Sequence, residues 1–314
     1  MTSLRARLLP LALRLQGRKA DYRSAEAVHR RIARERGRLN HEPPSQLRRE
    51  HRVSVQQVEG APVYTVAPRV RSRRPPIVYV HGGAFIAEIK PQHWSFISRL
   101  VRATGRAVVV PIYPLAPEHD ARDMYRVLGA TWALLTGEHP RTAPVLDAAR
   151  DARDPVVAGP VLVGDSAGGG LALGLAQLAR DHGAPRPSLT ALLSPWLDVA
   201  VEDPLSIELD QVDPWLSVPG LREAGRLVAG ADRPDHPLVS PLYGEVGELG
   251  PVAILTGTRD LLLPDSRRLR DRLREAGEPY DYYEAEGMVH VWMLTPIPEA
   301  SLAFTHLVQL IRDA

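Results

Sequence analysis

From residue 75 onward the chain alternates between two apolar patterns. Short, mostly apolar runs at 77–80, 107–111, 161–163, 189–193 and 252–256, and the tyrosine-rich 280–284, have the length and β-branched or aromatic character of strands. Between them, 91–104, 120–136, 167–181, 266–276 and 298–312 carry apolar residues at helical spacing. Regular strand–helix alternation predicts an α/β fold, a mostly parallel central sheet flanked by helices on both faces.

Two regions break this rhythm. The first is amino-terminal, where Leu4, Leu8, Leu11 and Leu15 stand at helical spacing and a second amphipathic helix covers 24–36, closed by Gly37 and Pro43-Pro44. Beyond it, 51–58 and 62–66 flank Gly60-Ala61 and predict a hairpin. The second is 197–243, rich in Pro and Asp, with one predicted helix at 218–230. An insertion after a strand's carboxyl end lies over the edge where such sheets bind ligands, so it reads as a lid. The expected organisation is a cap segment at 1–50, core at 51–196, a cap insertion at 197–243 and further core at 244–314, with 141–154 as a polar loop.

Composition narrows the chemistry. At 314 residues and 44% hydrophobic the chain can bury a large core, and no apolar run reaches the ~18 residues needed to span a membrane. There is no cysteine, which excludes disulfides and thiolate nucleophiles. The apolar stretch near the start is too short for a secretory signal and no A-x-A pattern follows, so a cytoplasmic protein is expected. Net charge is +2, but residues 1–74 hold 18 Lys plus Arg against 6 Asp plus Glu, leaving 21 against 31 for the remainder. Because the basic residues interleave with Leu, Ala and Val at helical spacing, they are expected to form a solvated helix face docked on the acidic body. No nucleic-acid partner is expected, and membrane contact is at most peripheral. A homodimer is compatible with this reading. The histidines lack H-E-x-x-H or similar spacing, so neither a metal nor another cofactor is expected.

The candidate chemistry centres on Gly164-Asp165-Ser166-Ala167-Gly168, between a strand run and a strong helix former. Glycines two residues either side of Ser166 permit a very tight strand-to-helix turn that lifts the hydroxyl clear of the backbone, and the helix start aims free N–H groups at it. Serine needs a base and an acid to orient that base. Asp260, directly after the 252–256 strand, and His290, after the last strand, arrive in the required order. Asp265 follows the same strand but reads as part of a helix start. His81-Gly82-Gly83 at the end of the 77–80 strand supplies flexible backbone, so the amides of Gly82, Gly83 and Ala167 form the expected oxyanion hole. His81 reads as a residue that orients this loop.

Five segments in order, 81–85 (HGGAF), 113–119 (YPLAPEH), 164–169 (GDSAGG), 257–260 (GTRD) and 287–290 (GMVH), make the chain resemble the hormone-sensitive lipase family of α/β-hydrolases over about residues 75–310. The resemblance implies an α/β-hydrolase fold with a helical cap and a carboxylic ester hydrolase favouring short to medium acyl chains. It also implies that Glu118 supports the site, with Asp165 beside the nucleophile. Pro114 stands where the family usually has arginine, and Trp292 follows the histidine loop; both bear on the substrate pocket. An amidase or peptidase on the same residues, or a non-catalytic receptor on the same fold, are the alternatives.

Overall fold

The computed structural model describes residues 2–38, 40–70, 72–137 and 159–314; the polar loop expected at 141–154 lies outside them. Eight strands form one sheet: β1 (Arg52–Val58), β2 (Ala61–Ala67), β3 (Ile77–Val80), β4 (Val108–Pro111), β5 (Val161–Asp165), β6 (Thr190–Leu193), β7 (Val252–Gly257) and β8 (Tyr280–Ala285), in the spatial order β1-β2-β4-β3-β5-β6-β7-β8. The β1–β2 hairpin and the β2–β4 pair are antiparallel, and β3 to β8 are all parallel.

Alternate residues along the central strands feed two cores, as the period of two in a strand requires. Val78, Val80, Leu162, Val252 and Ile254 point to one core. Helices α5 (Ala121–Thr136), α6 (Ala167–Asp181) and α9 (Leu263–Glu275) cover it. Ile77, Tyr79, Val161, Val163, Ala253 and Leu255 point to the other, under α4 (Pro91–Thr104) and α10 (Pro298–Asp313). Each of β3 to β7 is buried along its whole length, which explains why these strands read as continuous apolar runs.

Two segments lie outside the strand–helix alternation. The amino-terminal arm contributes α1 (Leu4–Leu15) and α2 (Ala25–Arg36), and the insertion contributes α7 (Pro204–Asp210) and α8 (Val218–Ala229). Helix α2 packs along α8, and the two are joined by His29 Nε2 and Glu223 at 2.8 Å. Lys19 pairs with Asp210 at 2.8 Å, and Arg36 pairs with Glu118 of the body at 2.6 Å, so part of the arm's positive charge is neutralised by docking.

Three local expectations differ from the structure. The insertion carries two helices: α7 starts at Pro204 with Asp203 as its cap, the side chain accepting from Leu205 N at 2.9 Å. A short α3 (Ser45–Glu50) follows the Pro43-Pro44 pair. Helix α1 turns its leucine stripe outward: Leu4, Leu8, Leu11 and Leu15 are 71%, 50%, 53% and 80% exposed, while Ala6, Pro10 and Leu13 are buried.

The turn from β5 into α6 leaves no room for a side chain. A Cβ at Gly168 would sit 2.1 Å from the Val80 carbonyl oxygen and 2.5 Å from that of His81, and one at Gly164 would sit 2.2 Å from the Gly168 carbonyl oxygen. All three obstacles are backbone held by the sheet or the helix. Gly168→Ala is therefore expected to destabilise the fold by about 3 kcal/mol, measurable as a lowered urea midpoint at unchanged slope.

Candidate active site

Ser166 occupies the single residue between β5 and α6 with φ 52° and ψ −123°, a strained left-handed conformation for a residue bearing a side chain. Its backbone is fully engaged. The N–H donates to Leu193 O at 2.9 Å, and the carbonyl accepts from Gly169 N at 2.9 Å and Trp196 N at 2.9 Å. These bonds hold the strained turn from β6 and α6 together.

The loops after β7 and β8 bring the other two residues to it. His290 Nε2 lies 2.9 Å from Ser166 Oγ, and His290 Nδ1 lies 2.9 Å from Asp260 Oδ2. With neutral imidazole, Nδ1–H donates to the carboxylate and Nε2 accepts from the serine hydroxyl. Asp260 is wholly buried, and its other oxygen accepts from Leu262 N at 3.0 Å. The residue after His290 is pinned too, since Val291 N donates to Ser194 Oγ at 3.0 Å. Asp265 takes no part; it lies in the first turn of α9 with Arg268 at 3.2 Å.

Burial alone would push the His290 imidazole toward neutrality. The charge of Asp260 and its hydrogen bond, with Asp213 and Asp165 farther off, overcome this and raise its pKa above the ordinary histidine value. Asp213, from the cap insertion, is a residue that sequence reasoning missed. Its Oδ1 accepts from Trp215 N at 2.7 Å and Leu216 N at 2.8 Å, while Oδ2 accepts from Leu261 N at 3.0 Å, the residue after the triad-like acid. Burial and the nearby Asp260 push its carboxyl up to about 6. Trp215, also unanticipated, stands edge-on to the His290 ring at 5.9 Å. An Asp-Pro-Trp run in a polar segment looks like a turn, and nothing local reveals what it faces.

Asp165 organises the opposite wall. Oδ1 accepts from Tyr79 Oη at 2.6 Å and from Gly82 N at 3.0 Å, and Oδ2 lies 3.4 Å from His93 Nε2. Burial would raise this carboxyl, but His93, Tyr79 and the Gly82 amide together hold it below the ordinary carboxylate range. The Gly82 contact corrects one expectation. Its N–H is spent on Asp165 and is not free for an oxyanion. The amides of Gly83, Ala84 and Ala167 donate to no acceptor among the described residues. His81 is buried, stacked on Tyr113 at 4.4 Å between centroids, and its Nδ1 lies 2.8 Å from Gly82 O. Burial pushes its pKa down to about 4, so it orients the loop as a neutral ring.

Glu118 touches none of Ser166, His290 and Asp260 among the described residues. It clamps Arg36, whose Nη1 donates to Ile86 O at 2.8 Å and whose Nη2 donates to Ala116 O at 2.6 Å. Its support of the 81–86 loop is therefore indirect and runs through the arm.

Comparison with known proteins bears on the fold and the family. Residues 77–294 match the family described as alpha/beta hydrolase fold. A Streptomyces hygroscopicus protein named acetyl-hydrolase is 33% identical over 224 residues, covering 69% of this chain and 67% of its own. A Mycobacterium tuberculosis protein named triacylglycerol lipase is 33% identical over 221 residues, which cover 70% of this chain but only 43% of that longer protein. The crystal structure of an esterase from the bacterial hormone-sensitive lipase family superposes with a TM-score of 0.77 at 24% identity, covering 100% of this chain and 99% of the other, a likeness of fold. The chain belongs to the α/β-hydrolase family.

Proposed function

We propose that this protein is a serine carboxylic ester hydrolase acting on short to medium acyl esters through an acyl-enzyme. The observation that carries the reading is the unbroken relay from Ser166 Oγ through His290 to Asp260, 2.9 Å at each step and buried throughout. The relay also speaks against a receptor, which would need no base aligned on a serine. Relatives named acetyl-hydrolase and triacylglycerol lipase support the ester as substrate class.

In this mechanism the Ser166 oxygen attacks the acyl carbon as its proton passes to His290 Nε2. The carbonyl oxygen takes the negative charge and is met by the free amides of Gly83, Ala84 and Ala167. Collapse breaks the bond to the alcohol, which leaves with the proton from His290. Water then repeats the sequence on the acyl-enzyme, releasing the acid and restoring the serine. Asp260 keeps Nδ1 protonated and stabilises the imidazolium that forms twice per cycle.

Ser166→Ala is expected to lower kcat for p-nitrophenyl acetate or butyrate by about 10⁴-fold or more with an unchanged thermal midpoint; turnover near wild type would end the assignment. Catalysis needs neutral His290, so kcat/KM should fall as pH drops and the ring protonates. Because the pKa is raised, the midpoint of that limb should lie above the ordinary 6.5, and Asp260→Asn should move it downward in a pH–rate profile.

A further inference from the structure

The four leucines that α1 turns away from the core fall within about 60° of one another at 100° per residue. They form a straight, narrow apolar stripe. The opposite side of the helix, Ala6, Pro10 and Leu13, is buried in the fold, and the helix start is fastened to α10 by Ser3 Oγ donating to Glu299 at 2.9 Å. The stripe is therefore presented by an anchored helix and is not covered by the fold. Among the described residues eleven large apolar side chains are exposed, and seven of them lie on the arm and the insertion: the four leucines, Ile207, Val212 and Tyr243. Contact between the two parts is direct: Arg14 Nη2 reaches Val212 O at 3.5 Å.

The charges beside the stripe differ from those elsewhere on the arm. Lys19, Arg34 and Arg36 have carboxylate partners. Arg5, Arg7, Arg14 and Arg18 have none among the described residues. On the helical wheel Arg7 and Arg14 border one side of the leucines and Arg5 the other. An apolar strip rimmed by guanidinium groups without carboxylate partners complements a surface that is hydrocarbon below and anionic above. A second copy of this chain would bring the same positive rim against itself. The arm also leads to the site, because Arg18 lies 5.7 Å from the Trp215 ring, which stands edge-on to His290.

We infer that α1, with the adjoining edge of α7, is an interfacial docking face that lays the cap flat on a bilayer bearing anionic headgroups. Leucines enter the acyl boundary and arginines meet the phosphates, as amphipathic helices do. The cap side of the molecule then faces the lipid, with the buried relay beneath it.

Flotation of the full Ser166→Ala chain with vesicles reads binding and not turnover, so it stands or falls separately from the ester assignment. Binding is expected to vesicles of mixed phosphatidylglycerol and phosphatidylcholine at low salt, and to weaken at high salt as screening shortens the reach of the arginines. Leu8→Gln with Leu11→Gln should weaken it about tenfold or more. Arg7→Gln with Arg14→Gln should weaken it about fivefold per charge. Circular dichroism and thermal midpoints should stay at wild-type values in both variants. Absence of binding, equal binding to pure phosphatidylcholine, or leucine variants that bind as wild type would overturn the inference. So would sedimentation velocity showing a wild-type dimer that the leucine variant converts to monomer, which would seat a second copy on this face.

Discussion

One buried carboxylate holds the two halves of the site in register. Asp165 ends β5 immediately before the strained Ser166, and its oxygens reach Tyr79 on β3, the Gly82 amide in the next loop and His93 on α4. A charge placed so deep is tolerable only because each neighbour supplies a donor. Its position ties the strand that ends at Ser166 to the loop that carries the unpaired amides. The Gly82 donor is consumed in that task, which leaves the amides of Gly83 and Ala84 as the unpaired ones in this loop. The same carboxylate therefore governs both the posture of the serine and the choice of donors around it.

The other half depends on loops at the carboxyl ends of β7 and β8, where Asp260 and His290 arrive on separate strands. Their geometry is steadied by neighbours that do no chemistry: Leu262 N on Asp260, Ser194 Oγ on Val291 and the Trp215 edge on the imidazole. Catalysis by differential stabilisation needs this stiffness, since each group must already stand where charge will develop.

Much of this was legible in the sequence because parallel strands buried on both faces cannot hide: residues 77–80, 161–163 and 252–255 are unbroken apolar runs. Ser166, Asp260 and His290 were likewise readable from their chain order and their places just past strand ends, and Asp265 could be set aside because a helix begins around it. What could not be read depends on three-dimensional neighbours. The spacing of Leu4, Leu8, Leu11 and Leu15 specifies a stripe but not which way it faces, and here the smaller side chains Ala6 and Leu13 take the inside. Helix α7 is short and lies in a Pro- and Asp-rich stretch, where capping outweighs periodicity. The loss of the Gly82 amide follows from a side chain 83 residues away, beyond the reach of any local pattern.

The Asp213 carboxylate has an implication for how such a cap can vary. Lys19 of the arm donates to the Asp213 carbonyl at 3.0 Å, and the Asp213 side chain accepts from Leu261 beside Asp260. Arm, insertion and acid loop are thus wired in series. Transplanting residues 197–243 from a relative lacking this aspartate would strand the buried Leu261 amide next to Asp260, while the Lys19 bond, which goes to a backbone carbonyl, would not depend on the side chain. The smallest unit that can be exchanged without stranding that amide therefore includes the β7–α9 loop, and divergence of residues 197–243 is constrained by the loop that carries Asp260.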